Sequence, residues 1–172
     1  MLTDMNPEPN PSDDPYGHPV SLLCFSIFRA NGALIGFGDA LMRPLGLTSA
    51  RWQVLGAIDQ TRGQASTSGV ARNMGLVRQS VQRIVDQLVE DGLVVTLENP
   101  SHRRARLVQL APEGRALLDR ANARWGSFAD TLLAELAEED VLRVVSLLQQ
   151  MRDRMDDEKS HGINTVKDDG DD

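Results

Sequence analysis

The sequence predicts a mainly α-helical fold with one small β-hairpin: a winged helix-turn-helix carried on the long helices of an intertwined homodimer. Three observations predict it. Two short helical segments meet at a glycine within residues 66–89, a strand-turn-strand pattern with an arginine-rich tip follows at once, and long apolar helical stretches flank the whole block.

The first flank, residues 20–42, is apolar on most of its circumference (Val20, Leu22, Leu23, Phe25, Ile27, Phe28, Leu34, Ile35, Phe37 and Leu41). That is more than one side of a small domain can bury, so the helix needs partners on two sides. Next, Ser66 to Gly75 reads as a short helix closed by Gly75, where a left-handed backbone costs a glycine nothing. A second helix runs from Leu76 to Val89, with Val77, Val81, Ile84, Val85 and Leu88 at helical spacing as one buried stripe. Gln79, Gln82 and Arg83 point the other way. Arginine bonds bidentately to guanine and glutamine to adenine in a major groove wide enough to admit a helix, so this face carries what base readout needs.

A solvated surface would explain that face alone equally well; the continuation favours nucleic acid. Asp91-Gly92 ends the helix, Leu93 to Leu97 is apolar and β-branched, and Arg104 to Leu110 alternates polar with apolar as a half-buried strand does. Between them Asn99-Pro100-Ser101 favours a turn, and Arg103, Arg104 and Arg106 put three guanidinium groups on or beside its tip. A solvated tip has little physical need for three charges that repel one another. A wing reaching phosphate or a minor groove does. The candidate double-stranded DNA contacts are therefore Ser66, Arg78, Gln79, Ser80, Gln82, Arg83, His102, Arg103, Arg104 and Arg106.

Two long helices follow. Leu117, Ala121, Trp125, Phe128, Leu132 and Leu136 form one stripe, and Val141, Val144, Val145, Leu148, Met151 and Met155 another, after the acidic start Glu138-Glu139-Asp140 that suits a helix N-terminus. The simplest accommodation is a homodimer in which the first and last helices of two chains intertwine. Two-fold symmetry then sets two recognition helices about 34 Å apart, which implies a palindromic operator.

The net charge of -7 looks wrong for a DNA binder until the chain is divided. Residues 1–20 carry four acids and no base, and residues 156–172 carry seven acids against Lys159 and Lys167. Within residues 48–111 eight arginines oppose five acids, so the DNA-binding block is +3 and the negative character lies in the ends. The expected organisation is an acidic flexible tail over 1–19, one domain over 20–155 and a second acidic tail over 156–172. Within the domain, 20–45 and 112–155 are dimerisation helices around a winged-helix lobe at 48–111.

Other function classes fare worse. No stretch approaches the run of uninterrupted apolar residues that spans a bilayer, and the N-terminal segment lacks a basic and then apolar leader, so a cytoplasmic protein without membrane partners is expected. One cysteine excludes an intramolecular disulfide and fits a reducing compartment. His18 and His161 lie toward the ends and His102 at the wing tip, which leaves no Cys-His pair, no zinc constellation and no enzyme; no phosphate-binding loop or cofactor motif is present. The second class that survives is a winged helix whose basic face docks a protein instead of DNA.

Leu47-Thr48-Ser49-Ala50-Arg51-Trp52-Gln53-Val54-Leu55, Gly75-Leu76-Val77-Arg78-Gln79-Ser80-Val81, Asp91-Gly92-Leu93-Val94, Asn99-Pro100-Ser101-His102-Arg103-Arg104-Ala105 and Leu110-Ala111-Pro112-Glu113-Gly114 occur in that order. Together they resemble the MarR family of winged-helix transcriptional regulators over roughly residues 20–155; the order and spacing are specific where any single block is weak. Two departures stand out. His102 occupies the wing position where the family usually has an aspartate before the arginine pair, and Ala111 replaces a threonine before the proline. The resemblance implies a homodimeric regulator, most often a repressor, released by a small molecule. It also implies an effector site where the dimer helices meet the DNA-binding lobe; there Arg29, Arg51 and Trp52 could hold an anionic aromatic ligand. One branch of the family senses organic hydroperoxides through a lone first-helix cysteine, the setting of Cys24, but tyrosines near the thiol support that chemistry and the one tyrosine here, Tyr16, lies in the tail.

Overall fold

The computed structural model of the chain describes residues 17–161 apart from Ser101 and Arg103. Among the described residues six α-helices and one hairpin follow in the order α1 (Pro19–Met42), a 3-10 turn (Arg43–Leu45), α2 (Ser49–Gln60), α3 (Thr67–Met74), α4 (Arg78–Glu90), β1 (Val94–Leu97), β2 (Leu107–Leu110), α5 (Pro112–Leu133) and α6 (Glu138–Ser160). The mainly helical fold with a small antiparallel hairpin is the one the sequence predicts. The chain divides after Trp125 into two compact units.

In the first unit, local chemistry sets the boundaries of the helix-turn-helix. Thr48 Oγ1 accepts from the Arg51 amide at 3.2 Å and Ser66 Oγ from the Gly69 amide at 3.4 Å, capping α2 and α3 with otherwise orphaned donors satisfied. At the other end of α3, Gly75 takes φ +66°. The Leu76 amide then donates to the Ala71 carbonyl at 2.9 Å and the Gly75 amide to Arg72 at 3.1 Å, the paired bonds that close a helix at a left-handed glycine. From there α4 starts at Arg78, with Val77 as its N-cap residue.

That start corrects one residue of the expected stripe. Val81, Val85 and Leu88 are buried and Ile84 packs against them, but Val77 is 71% exposed because it precedes the first helical turn and cannot share the stripe's face. The core joins α4 to Met42, Leu47, Val54, Leu55 and Ile58 before it, to Val94 and Val108 on the hairpin, and to Leu118 and Ala121 on α5.

The hairpin pairs Val94 with Leu110 and Leu97 with Leu107. Ser66 adds a one-residue bridge to Leu107, and the Val108 amide donates to the Ala65 carbonyl at 3.0 Å, so the hairpin is stitched to the start of α3. Strand β2 starts at Leu107, three residues later than the alternation suggested, and before it side chains bond backbone carbonyls of the loop and of β1. Asn99 Nδ2 donates to the Ala105 carbonyl at 2.8 Å, and the Arg106 guanidinium to the Thr96 carbonyl at 3.0 Å.

Pro112 is the first residue of α5, as expected. Two positions later, a Cβ on Gly114 would run into the Leu93 carbonyl oxygen, with the carbonyl carbon 2.9 Å away; only glycine lets α5 pass the strand so closely. The second unit comprises the remainder of α5 and helix α6. No residue of α6 is buried, and Leu142, Val144 and Met155 are at least half exposed.

Helix α1, in the first unit, buries only Gly38 and Met42, and Phe28 is 68% exposed. By length and composition alone, Pro19–Leu45 is long and apolar enough to cross a membrane. The expectation that no stretch approaches that length counted only uninterrupted apolar residues; Arg29, Asn31 and Asp39 interrupt this one, yet the segment stays apolar on average.

Candidate nucleic-acid interface

Polar residues of helix α4 line two hollows. Gln79, Ser80 and Arg83 line the first, with Ile84 and Gln87, around a volume of about 470 Å³. Arg78 and Gln82 line the second, about 310 Å³, which lies between α4, the start of α3 and the hairpin and is closed by Arg104 and Arg106. Thus the helix-turn-helix and the wing present side chains to one shared concavity. Two of its three walls carry guanidinium groups, Arg78 on α4 and Arg104 and Arg106 on the wing, and Asp86 is the acid among the described residues lining it.

The expected contact residues are not all free to serve. Ser66 is half-buried and its hydroxyl caps α3, while Thr67 and Ser68, one and two residues on, line the second hollow in its place. Sequence periodicity could not distinguish these three; the cap assignment could, since the residue before the first helical turn is the one whose oxygen is occupied. Arg106 is exposed but bonded to Thr96 of β1, which holds its stem along the hairpin. Arg104 and His102 are exposed at the loop, where the His102 amide donates to Asn99 at 3.1 Å and its carbonyl accepts from Ala105 at 3.0 Å. Arg103 lies outside the described residues.

The residues expected around an effector have partners of their own. Arg51 is ion-paired with Asp91, and its Nε is buried without a hydrogen-bond partner among the described residues. Trp52 donates through Nε1 to Asn122 Oδ1 at 3.1 Å and stands 5.3 Å, centroid to centroid, from Trp125 at a tilt of 49°. This pair anchors α2 to α5. Trp52 also edges a hollow of about 390 Å³ with Gln53, Met74, Leu118 and Asn122. Arg29 is exposed on α1, and no hydrogen bond or ion pair joins it to Arg51 or Trp52 among the described residues. Cys24 is a half-buried free thiol on the same helix; Tyr16 lies outside the described residues. Among the described residues no group of three or more His, Cys, Asp or Glu is placed to hold a metal ion.

Electrostatics elsewhere in the lobe is structural. Arg115 on α5 bonds Asp59 on α2; that guanidinium holds the Asp59 carboxyl below its ordinary range, and the carboxylate raises Arg115.

Residues 45–105, the helix-turn-helix and wing, match the model of the MarR family. An uncharacterized protein of Mycobacterium tuberculosis is 29% identical over 140 residues, 77% of this chain and 96% of that one. Among solved structures, CouR of Rhodococcus jostii RHA1 bound to p-coumaroyl-CoA superposes with a TM-score of 0.67 at 29% identity, over 84% of this chain and 95% of its own. The transcriptional repressor CouR bound to a 23-mer DNA duplex gives 0.68 at 28% identity, over 80% and 96%.

Proposed function

The chain belongs to the MarR family of winged-helix transcriptional regulators, and on that premise we propose that it is a homodimeric, sequence-specific binder of double-stranded DNA. It acts in the cytoplasm as a repressor on a palindromic operator. One observation carries this reading: Arg78 and Gln82 on α4 and Arg104 and Arg106 on the wing converge on a single concavity, with Gln79, Ser80 and Arg83 exposed beside it. Such an arrangement offers bidentate donors to base edges and cations to the flanking phosphates at once. CouR, similar over four-fifths of this chain, is a repressor held on duplex DNA, which supports the same use here.

The dimer rests on the apolar faces of α1 and α6, which the protomer leaves exposed. A second copy covering them explains a membrane-length apolar helix without a membrane. The p-coumaroyl-CoA in CouR supports a small anionic aromatic effector; Arg29, Arg51 and Trp52 are the residues proposed to meet it, the last two by exchanging their present partners. Selection from a randomised duplex library, followed by titration of the enriched duplex against salt, tests the core of the reading. An enriched palindrome bound with log affinity falling steeply against log salt is expected. Absence of any enriched sequence, with a flat salt dependence, would leave the basic face as a protein-docking surface.

A further inference from the structure

We propose that Asp86 is a positioning residue for base recognition, fixing the side-chain amide of Gln82 so that α4 accepts adenine and refuses guanine at one base pair of each half-site; this rests on the reading of α4 as the base-reading helix. Gln82 Nε2 donates to Asp86 Oδ1 at 2.8 Å, one helical turn on, and both side chains line the hollow between α4 and the wing. Pairs at this spacing commonly do no more than support a helix. The chemistry here goes further.

A carboxylate has no hydrogen to give, so only the nitrogen end of the amide can face Asp86. One N–H is thereby occupied. The other N–H and the oxygen Oε1 remain side by side, a donor next to an acceptor. That edge complements adenine, whose N7 accepts and whose N6 amino group donates. Guanine offers two acceptors, N7 and O6, and an amide with one hydrogen already held cannot donate to both. Without Asp86 the amide is free to turn and to offer both hydrogens to guanine. The carboxylate sits in a hollow whose other charged residues, among those described, are Arg78, Arg104 and Arg106, where it can only weaken attraction to phosphate. Its contribution is therefore to selectivity, not to affinity.

The test is a double-mutant cycle read as base preference. Wild type, Asp86→Ala, Gln82→Ala and the double variant are each used to select from the same randomised duplex library. Asp86 is exposed, so its truncation leaves the core untouched, and unchanged melting temperatures verify this. Expected is a position where wild type favours adenine over guanine roughly tenfold, where Asp86→Ala reduces the preference to under about threefold, and where Gln82→Ala abolishes it. In the Gln82→Ala background, removing Asp86 should then change nothing. An unaltered preference in Asp86→Ala overturns the proposal while leaving base reading by α4 intact. So does an equal change with and without Gln82, which would make Asp86 act on DNA by itself. If wild type enriches no sequence, the reading of the helix fails and this inference fails with it.

Discussion

Arg51 on α2 and Asp91 at the C-terminal end of α4 form an ion pair across forty positions of sequence. The helix proposed to read bases is thus tied at its far end to a second helix as well as packed on the core. Arg51 is 21% exposed and Asp91 50%, so solvent screening keeps the pair modest. Arg51→Ala should cost on the order of 1 kcal/mol in urea unfolding, with duplex binding retained once the protein is folded. If an anionic aromatic compound that releases DNA from wild type no longer does so in the same variant, Arg51 serves the proposed effector too. A variant of unchanged stability would show that the pair contributes nothing.

On the exposed face of α4, Arg83→Ala or Gln79→Ala should each weaken binding to the enriched duplex by ~1 to 3 kcal/mol, the worth of one bidentate bond to a base edge, and binding to random duplex much less. Equal weakening on both duplexes would reassign these residues to phosphate. Arg104→Ala reports the complement. Exposed at the wing and unencumbered by the strand contact that Arg106 makes, it should lower the salt slope by about one. A slope indifferent to Arg104 would take the wing tip off the DNA.

Most of this lobe was legible in the sequence because its signals are local. A glycine at Gly75, a run of periodic apolar residues and a turn between two β-branched segments each fix structure within a few positions. What escaped was decided by where a helix begins or by contacts between distant residues. Val77 fits the period yet stands outside the helix, and Leu118 is fully buried although the expected stripe named its neighbour Leu117. The partners of Arg51, Trp52 and Asp59 lie 40 to 70 positions away, beyond any periodicity argument. The Gln82–Asp86 contact could have been suspected from its spacing of four, but its place opposite the wing could not.

Gly114→Ala tests the close passage of α5 past Leu93, the residue that leads into β1. The added methyl meets backbone at Leu93, which cannot rotate away as a flexible side chain would, so helix and strand must separate. Overpacking of this kind costs about 1 to 3 kcal/mol or more. The Ala111 amide also donates to the Leu93 carbonyl at 3.0 Å, and that bond should break with the same shift. A melting temperature equal to wild type would mean that α5 can slide at no cost.

The Asp59–Arg115 contact gives a pH dependence of definite sign. Hydrogen bonding to Arg115 holds the Asp59 carboxyl below its ordinary value. A lowered folded-state value means that the contribution is complete above the unfolded-state value of roughly 4 and is lost as pH falls through the folded-state value beneath it. Arg115, raised by the same bond, stays protonated throughout that range. Asp59→Asn should therefore be less stable than wild type at pH 7, and the gap should close toward pH 3. A gap that persists at low pH would assign the difference to packing instead of charge.

Dimerisation is tested most sharply by residues that are already exposed in the protomer. Val145 and Leu148 on α6 are 45% and 37% accessible, so an aspartate at either position would cost a lone chain little. In the proposed dimer the same positions lie in an apolar interface, which in obligate dimers commonly exceeds ~2,000 Å² in total. There an unpaired carboxylate costs on the order of 3 to 5 kcal/mol. The double variant Val145→Asp with Leu148→Asp should then sediment as a monomer and lose the palindrome, although every proposed DNA-contacting residue is intact, because two recognition helices no longer have a fixed spacing. Unchanged sedimentation would place the dimer contact elsewhere. A monomer that still binds the full palindrome as wild type does would show that each protomer reads DNA alone.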